Sequence, residues 1–220
     1  MMLMKKPIIV LNFKNNKSSV GKNALKLSQI AESISKKIIV CVQAADIYPI
    51  SKSTGLKVFA QHIDPIDFGS DTGFILPESV RSAGAKGTLI NHSEHRLDLS
   101  TIKATLRRAK DLHMTTIICA KDAKESAMLS KLNPDYIAME PPELIGGDIS
   151  VSTAKPQVIK NTVDLVKKAN PKVLILVGAG VKTGEDVKKS LELGADGILI
   201  ASGVTKAKYP VKVLKDLCSI

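Results

Sequence analysis

Short apolar runs recur along the chain, and each is followed by a polar or glycine-rich stretch. Within a run the apolar residues are continuous and do not alternate with polar ones, which is typical of strands buried on both faces. Successive runs end 19 to 38 residues apart, which leaves room for a helix and exceeds the hairpin spacing of about 8–12 residues. The eight runs are Ile8–Asn12, Ile38–Val42, Lys57–Gln61, Gly87–Asn91, Thr115–Ala120, Tyr136–Glu140, Val173–Gly178 and Gly197–Ala201.

Three of the stretches between these runs carry apolar residues at helical spacing: Ala24–Ser35, Ser100–Leu112 and Thr183–Leu193. The last begins with Thr183 and Asp186, a pair typical of a capping box, and Gly194 follows it where a helix-ending glycine is expected. Eight parallel strands that alternate with helices predict an α/β fold, a closed (β/α)8 barrel, with a long open sheet as the alternative. No linker or repeat divides residues 1–220, so we expect a single domain.

Composition excludes several classes of protein. Of the 220 residues, 44% are hydrophobic and 24% are charged, which is ordinary for a globular protein and argues against disorder. No apolar stretch approaches the roughly 20 residues that span a bilayer, and no signal-peptide pattern opens the chain. We therefore expect a cytoplasmic protein with no membrane partner.

The net charge of +11 is unusual, and binding to nucleic acid is one explanation for it. The lysines and arginines are spread along the whole chain, however, and seven aromatic residues leave little to stack on bases. We therefore expect a solvated basic surface and no nucleic-acid partner. The three cysteines, Cys41, Cys119 and Cys218, lack zinc or disulfide spacing, so we expect buried, reduced side chains without a chemical role.

Polar residues follow the predicted strands, and a (β/α)8 barrel carries its chemistry at the carboxyl ends of its strands. Asn12 and Lys14 lie two residues apart at the end of the first run, so both side chains can point to the same side, and a lysine there indicates an anion. Glu140 ends the sixth run beside apolar neighbours, and a partly desolvated carboxylate suits a general base. The structural alternative is a loop glutamate paired with a lysine.

His92 follows the fourth run, and the residues after it, Ser93 and Glu94, could begin a short helix. A helix N-terminus would keep the imidazole neutral and able to donate to a carbonyl group, whereas a purely structural histidine is the alternative. Glycine-rich segments follow the last two runs, at Gly178–Gly180 and Ala201–Gly203. At these two strands barrels commonly bind phosphate through backbone N–H groups.

Four of these segments, taken in order, resemble triosephosphate isomerase in its short archaeal form. They are Leu11-Asn12-Phe13-Lys14, Asn91-His92-Ser93-Glu94, Glu140-Pro141-Pro142-Glu143-Leu144-Ile145-Gly146 and Ala201-Ser202-Gly203-Val204. The match extends through nearly the whole chain. The combination of motifs at these separations is far more specific than any one of them.

The resemblance implies that the protein interconverts dihydroxyacetone phosphate and D-glyceraldehyde 3-phosphate through an enediolate, without cofactor or metal, in glycolysis and gluconeogenesis. By position, it implies that Glu140 is the base, that His92 is the neutral electrophile, and that Asn12 and Lys14 hold and polarise the substrate. The segment after Glu140 would then be a closing lid. The resemblance also implies substrate binding by Gly146, Gly180, Ala201 and Ser202 at the phosphate, with Ile145 beside it.

The chain departs from the family pattern in three places. Glu94-His95-Arg96 lacks the first of two arginines found in many relatives, Thr72-Gly73-Phe74 lacks a glutamate of the longer members, and the lid ends in Gly147-Asp148. In those members the arginine and the glutamate are expected to pair across a subunit interface, so we expect an interface built differently here. The third departure concerns lid motion more than chemistry.

The predicted loop His62–Leu76 is long for a compact domain and carries too much apolar surface to leave in water. The resemblance implies that it enters a neighbouring subunit and brings Thr72 near the substrate site there. We therefore expect a homodimer or homotetramer, with a loop folded over its own barrel as the alternative.

Two other functions remain open from the sequence. One is a different phosphate-binding barrel enzyme, because Gly194-Ala195-Asp196-Gly197 also occurs in epimerases and biosynthetic barrels, although the strand ends lack the metal-binding histidine pairs or paired aspartates that such enzymes need. The other is a catalytically silent barrel that binds a partner. The presence of Lys14, His92 and Glu140 together argues against it.

Overall fold

Eight short strands run parallel and close into a barrel in chain order, so that the first strand pairs with both the second and the eighth. The structure is a computed structural model that describes residues 7–142 and 151–220. The barrel confirms the predicted (β/α)8 fold. Its strands are β1 (Ile8–Asn12), β2 (Ile39–Val42), β3 (Lys57–Ala60), β4 (Gly87–Ile90), β5 (Thr115–Ala120), β6 (Tyr136–Met139), β7 (Leu174–Val177) and β8 (Gly197–Ile200).

Helices connect the strands and surround the barrel. In the described part of the chain they are α1 (Lys22–Ile34), α2 (Ala44–Ser53), α3 (Pro77–Ser82), α4 (Leu99–Asp111), α5 (Ala123–Ser130), α6 (Val151–Ala154), α7 (Pro156–Ala169), α8 (Gly184–Glu192), α9 (Ser202–Thr205) and α10 (Pro210–Leu217). The three helices predicted from periodicity are present, with bounds that differ by one or two residues. Thr183 and Asp186 form the predicted capping box of α8. None of the described helices combines the length and the apolar composition that crossing a bilayer requires.

The strands are buried on both faces. Side chains that point into the barrel form one apolar cluster: Val10, Ile39, Cys41, Phe59, Leu89, Ile117, Cys119, Ala138, Leu176 and Leu199. Side chains at the alternate positions, such as Leu11 and Val40, belong to a second cluster that includes Leu27 of α1. Because neither face meets water, the strands consist of continuous apolar runs, as in other parallel barrels.

Five of the predicted strands end one residue too late. Gln61, Asn91, Glu140, Gly178 and Ala201 lie just beyond the strands that they were expected to end. The backbone N–H groups of Gln61, Glu140 and Gly178 still donate to the preceding strand, at 3.2, 2.9 and 2.9 Å. The ladder does not continue past these residues because the chain turns there into the connecting loops. The side chains that could take part in a reaction therefore lie at the mouth of the barrel.

The cysteines only partly match the prediction. All three are free, and Cys41 and Cys119 are buried in the barrel interior. Cys218 is half-buried, because it caps the end of α10 at the edge of the fold, so the prediction that it is buried is wrong.

Candidate active site

A cavity of about 310 Å³ opens at the carboxyl ends of the strands. It is lined by predicted site residues from four strand ends: Asn12, Lys14, Glu140, Gly180, Ala201 and Ser202. His92 lines an adjoining cavity of about 300 Å³, which shares Asn12 and Lys14 with the first. The structure thus brings seven of the nine predicted residues together. The other two, Ile145 and Gly146, lie outside the described residues.

Glu140, which lines the first cavity, and His92, which lines the adjoining one, face each other. Each is 7% exposed, and Glu140 Oε2 lies 3.6 Å from His92 Nε2. Among the described residues, Glu140 Oε2 has no hydrogen-bond partner although it is buried. An unpaired, desolvated carboxylate oxygen is costly for a fold to keep, and it is free to accept a proton from a bound molecule. The desolvation expected for Glu140 is present.

The short helix predicted after His92 is absent, but the backbone N–H group that it was expected to supply to the ring is present. Ser93 and Glu94 form a turn, so the expected short helix is wrong; the next helix, α4, begins at Leu99 beyond its own N-cap, Asp98. The Glu94 N–H nevertheless donates to His92 Nδ1 at 3.2 Å. Since Nδ1 accepts a hydrogen bond, a neutral ring carries its proton on Nε2, the nitrogen that faces Glu140. A tight turn supplies the N–H group that a helix was expected to supply.

Asn12 adds a second donor beside His92. Its Oδ1 accepts hydrogen bonds from the Lys14 N–H at 3.1 Å and from the Gln61 side-chain amide at 3.2 Å. These bonds turn the Asn12 amide nitrogen toward His92 Nε2, 3.4 Å away. With Nε2 protonated, both nitrogens are donors and cannot bond to each other. Two donors this close suit an oxygen that gains negative charge during a reaction.

Lys14 is held in a strained backbone conformation at the same mouth. Its φ is +49°, and Asn91 and Ala179, which follow β4 and β7, have φ of +62° and +72°. Residues other than glycine rarely adopt these values, and such strain is concentrated at functional sites. Lys14 Nζ lies 2.9 Å from Glu94 Oε1, and the bound anion that the sequence led us to expect near Lys14 stays a prediction.

The far end of the cavity is built from backbone N–H groups and cations. Gly180 has a φ of +73°, and Ala201 is the N-cap of α9, whose first turn leaves N–H groups without intrahelical partners. Two residues that the sequence did not single out, Lys182 and Lys206, also line this end. The surroundings therefore favour an anionic group such as phosphate.

Two further residues shape the position of Glu140. A Cβ at Gly178 would lie only 2.5 Å from Glu140 Cγ, so this glycine makes room for the Glu140 side chain. On the other side, burial raises the pKa of the Cys119 thiol, and the neighbouring Glu140 carboxylate raises it further. Cys119 lies in β5 and Gly178 directly follows β7, the strands on either side of β6, and the sequence alone did not show that they lie beside Glu140.

Gln61 is a functional candidate that the sequence analysis named only as the end of the third apolar run. Its side-chain amide donates to Asn12 Oδ1, to the Lys14 carbonyl and to the Cys41 carbonyl, each at 3.2 Å. These bonds fix Asn12 and Lys14 relative to β2. Its position at a strand end was the available signal, but its partners lie 20 to 49 residues away along the chain.

Comparisons with known proteins agree with this geometry. Residues 7–218 match the family model of triosephosphate isomerase. A protein of that name from Methanothermus fervidus is 50% identical over 218 residues, which cover 97% of this chain and 98% of the relative. Proteins of the same name from Methanobacterium bryantii and Methanocaldococcus jannaschii are 47% and 46% identical, over 97% and 96% of this chain and 96% and 98% of their own lengths. The chain belongs to the triosephosphate isomerase family.

Proposed function

We propose that this protein interconverts dihydroxyacetone phosphate and D-glyceraldehyde 3-phosphate by proton transfer through an enediolate. One observation carries the proposal: Glu140 Oε2, which has no hydrogen-bond partner among the described residues, lies 3.6 Å from His92 Nε2, and Asn12 Nδ2 lies 3.4 Å from that same nitrogen. A base beside donors for a developing oxyanion is what removal of a proton next to a carbonyl group requires. Family membership supplies the substrate class.

The proposed steps use only groups at the cavity. Glu140 takes the proton from the carbon next to the carbonyl group, the electron pair forms the carbon–carbon double bond, and negative charge moves to the carbonyl oxygen. The N–H groups of His92 and Asn12 and the ammonium group of Lys14 stabilise that charge. Glu140 then returns the proton to the neighbouring carbon. The hydroxyl proton passes between the two substrate oxygens, where neutral His92 is the donor within reach.

Substrate binding follows the charge distribution of the cavity. We assign the phosphate to Gly180, Ala201 and Ser202, where N–H groups and lysines surround the space. The lid residues Ile145 and Gly146 keep the roles that the resemblance implies. No cofactor or metal takes part in the proposed reaction.

A coupled assay with glyceraldehyde 3-phosphate tests the function directly. We expect turnover in purified wild-type protein and none above background in Glu140→Gln, which keeps the shape of the side chain and removes the base. The variant must be purified in parallel, because a contaminating isomerase of the expression host would give equal rates in both samples. Absence of turnover in folded wild-type protein, or equal turnover in both, would refute the proposal.

We also propose that the protein functions as a homodimer or homotetramer. The β3–α3 loop, residues 61–76, contains no helix or strand, and Phe68 and Phe74 near its tip are 76% and 59% exposed. Beside His92, the cavity that reaches Gln43 and His95 offers a place for this loop from a second copy. A cytoplasmic location and the absence of nucleic-acid and membrane partners remain predictions.

Sedimentation velocity tests the assembly. We expect a dimer or larger species at micromolar concentration. Replacement of residues 66–75 by a short Gly-Ser turn should give folded monomers with strongly reduced activity. A wild-type monomer with full activity would show instead that the loop packs on its own chain.

A further inference from the structure

The β3–α3 loop has a firm base below its exposed tip. Across the base, the Asp64 N–H donates to the Ile75 carbonyl at 3.0 Å, and the Ile75 N–H donates to Asp64 Oδ2 at 2.6 Å. The segment before the tip is supported further, because His62 Nε2 lies 3.0 Å from Asp64 Oδ1. The loop is therefore held at its root although its tip projects into solvent.

The guanidinium group of Arg108, on α4, joins the segment before the tip of this loop to the segment after it. Arg108 Nε donates to the Ile66 carbonyl at 2.9 Å, and Nη2 lies 3.0 Å from Asp67 Oδ1 and 2.5 Å from Glu78 Oε1. Ile66 and Asp67 precede the tip, whereas Glu78 follows it in the first turn of α3. Arg108 therefore attaches the segments before and after the tip to the same helix, α4.

The environment of Arg108 makes this link strong. Its side chain is 17% exposed, and hydrogen bonds between charged groups at such a site are about twice as strong as neutral ones. The planar guanidinium reaches three acceptors through two separate nitrogens, Nε and Nη2, an arrangement that the single nitrogen of a lysine does not reproduce. The adjacent Arg107 provides a contrast: its side chain is 84% exposed, and its one ion pair among the described residues is with Asp111, at 4.0 Å.

A loop that is already held in its docking conformation loses less conformational entropy when it binds, and its affinity rises accordingly. We propose that Arg108 is a positioning residue for assembly, which presets the β3–α3 loop so that its aromatic tip docks on a second copy of this chain. The proposal rests on the assembly proposed above, and it identifies Arg108 as the residue on which the affinity of that assembly depends. Arg108 lines neither cavity of the candidate active site.

The experiment compares Arg108→Met with the matched control Arg107→Met. Sedimentation velocity and activity are both measured over a dilution series. We expect the control to behave as wild type, and the Arg108 variant to raise the dimer dissociation constant at least about tenfold, the scale of losing one charge-assisted hydrogen bond. Its activity per subunit should fall on dilution and return to the wild-type value at high concentration. A merely structural role would not be rescued by concentration.

Equal dissociation constants in the two variants would overturn the proposal, as would a loss of activity independent of concentration. Arg108→Lys, which retains the charge and the stem but not the planar guanidinium, serves if the methionine variant does not fold; wild-type association in folded Arg108→Lys would be equally decisive. A monomeric wild type with isomerase activity overturns this proposal and the proposed assembly, and it leaves the proposed reaction intact. An inactive wild type whose dimer is weakened by Arg108→Met overturns only the proposed reaction.

Discussion

A single methyl group at Gly178 should displace the candidate base. In Gly178→Ala the new Cβ would lie 2.5 Å from Glu140 Cγ and 3.1 Å from Oε1, whereas ordinary contacts begin at 3.4 Å. Glu140 must therefore retreat by about 0.9 Å. Gly178 does not adopt a left-handed φ, so alanine meets no backbone strain there. The perturbation acts on the side chain of Glu140.

The displacement sets the size of the effect. Misplacing a reacting group by about 1 Å can cost about a hundredfold in rate, which is about 2.7 kcal/mol in the activation barrier. The phosphate end, formed by Gly180 and Ser202, lies on other parts of the cavity wall. We therefore expect kcat to fall about a hundredfold while KM changes by less than about threefold.

Steady-state kinetics in the coupled assay, with thermal unfolding measured in parallel, would check this expectation. Gly55→Ala is the matched control, because its Cβ would meet only the end of the Glu32 side chain, 3.1 Å away and outside the cavities described. A kcat within twofold of wild type in Gly178→Ala would refute the steric argument. So would an equal loss in the control.

Three other predictions concern the base, the electrophile and a helix terminus. Glu140→Asp withdraws the carboxylate by one methylene, so kcat should fall at least about tenfold; wild-type turnover would remove Glu140 from the role of base. Nitrogen-detected NMR of His92 should show a ring proton on Nε2 and none on Nδ1, because Nδ1 accepts the Glu94 N–H; a neutral ring protonated on Nδ1 would contradict the assignment. Thr183→Ala removes the capping hydrogen bond to the Asp186 N–H, and urea denaturation should show a loss of about 1 kcal/mol with kcat unchanged; unaltered stability would show that the cap contributes nothing.

The barrel could be predicted from the sequence because the apolar pattern of each strand depends only on residues within that strand. A strand buried on both faces needs a continuous apolar run, and the run is visible without any knowledge of its neighbours. Asn12, Lys14, His92 and Glu140 were found for the same reason, since a parallel barrel gathers the residues after its strands at one mouth. Strand ends were less certain because a residue can leave the ladder and still be buried, as Gly178 shows.

Relations between distant residues were beyond the sequence. Gly178 makes room for Glu140 only because β6 and β7 are neighbours, and Gln61 fixes Asn12 across three strands. The link from Arg108 to Glu78 depends on how α4 lies beside α3, which no local periodicity encodes. The turn after His92 was mistaken for a helix because Ser and Glu at these positions suit both, and the N-cap at Asp98 decides in favour of a later start.

The closure of the barrel has a consequence for how the chain is made. β1 pairs with β8, so its outer edge stays without a partner until residue 197 has been synthesised. At ordinary rates of translation, the 185 residues from Phe13 to Gly197 take on the order of ten to forty seconds. During that time the growing chain exposes an open edge of apolar strands, the kind of surface on which nascent proteins aggregate and chaperones act. The last strand, β8, is only four residues long, and its pairing with β1 is the step that covers the open edge.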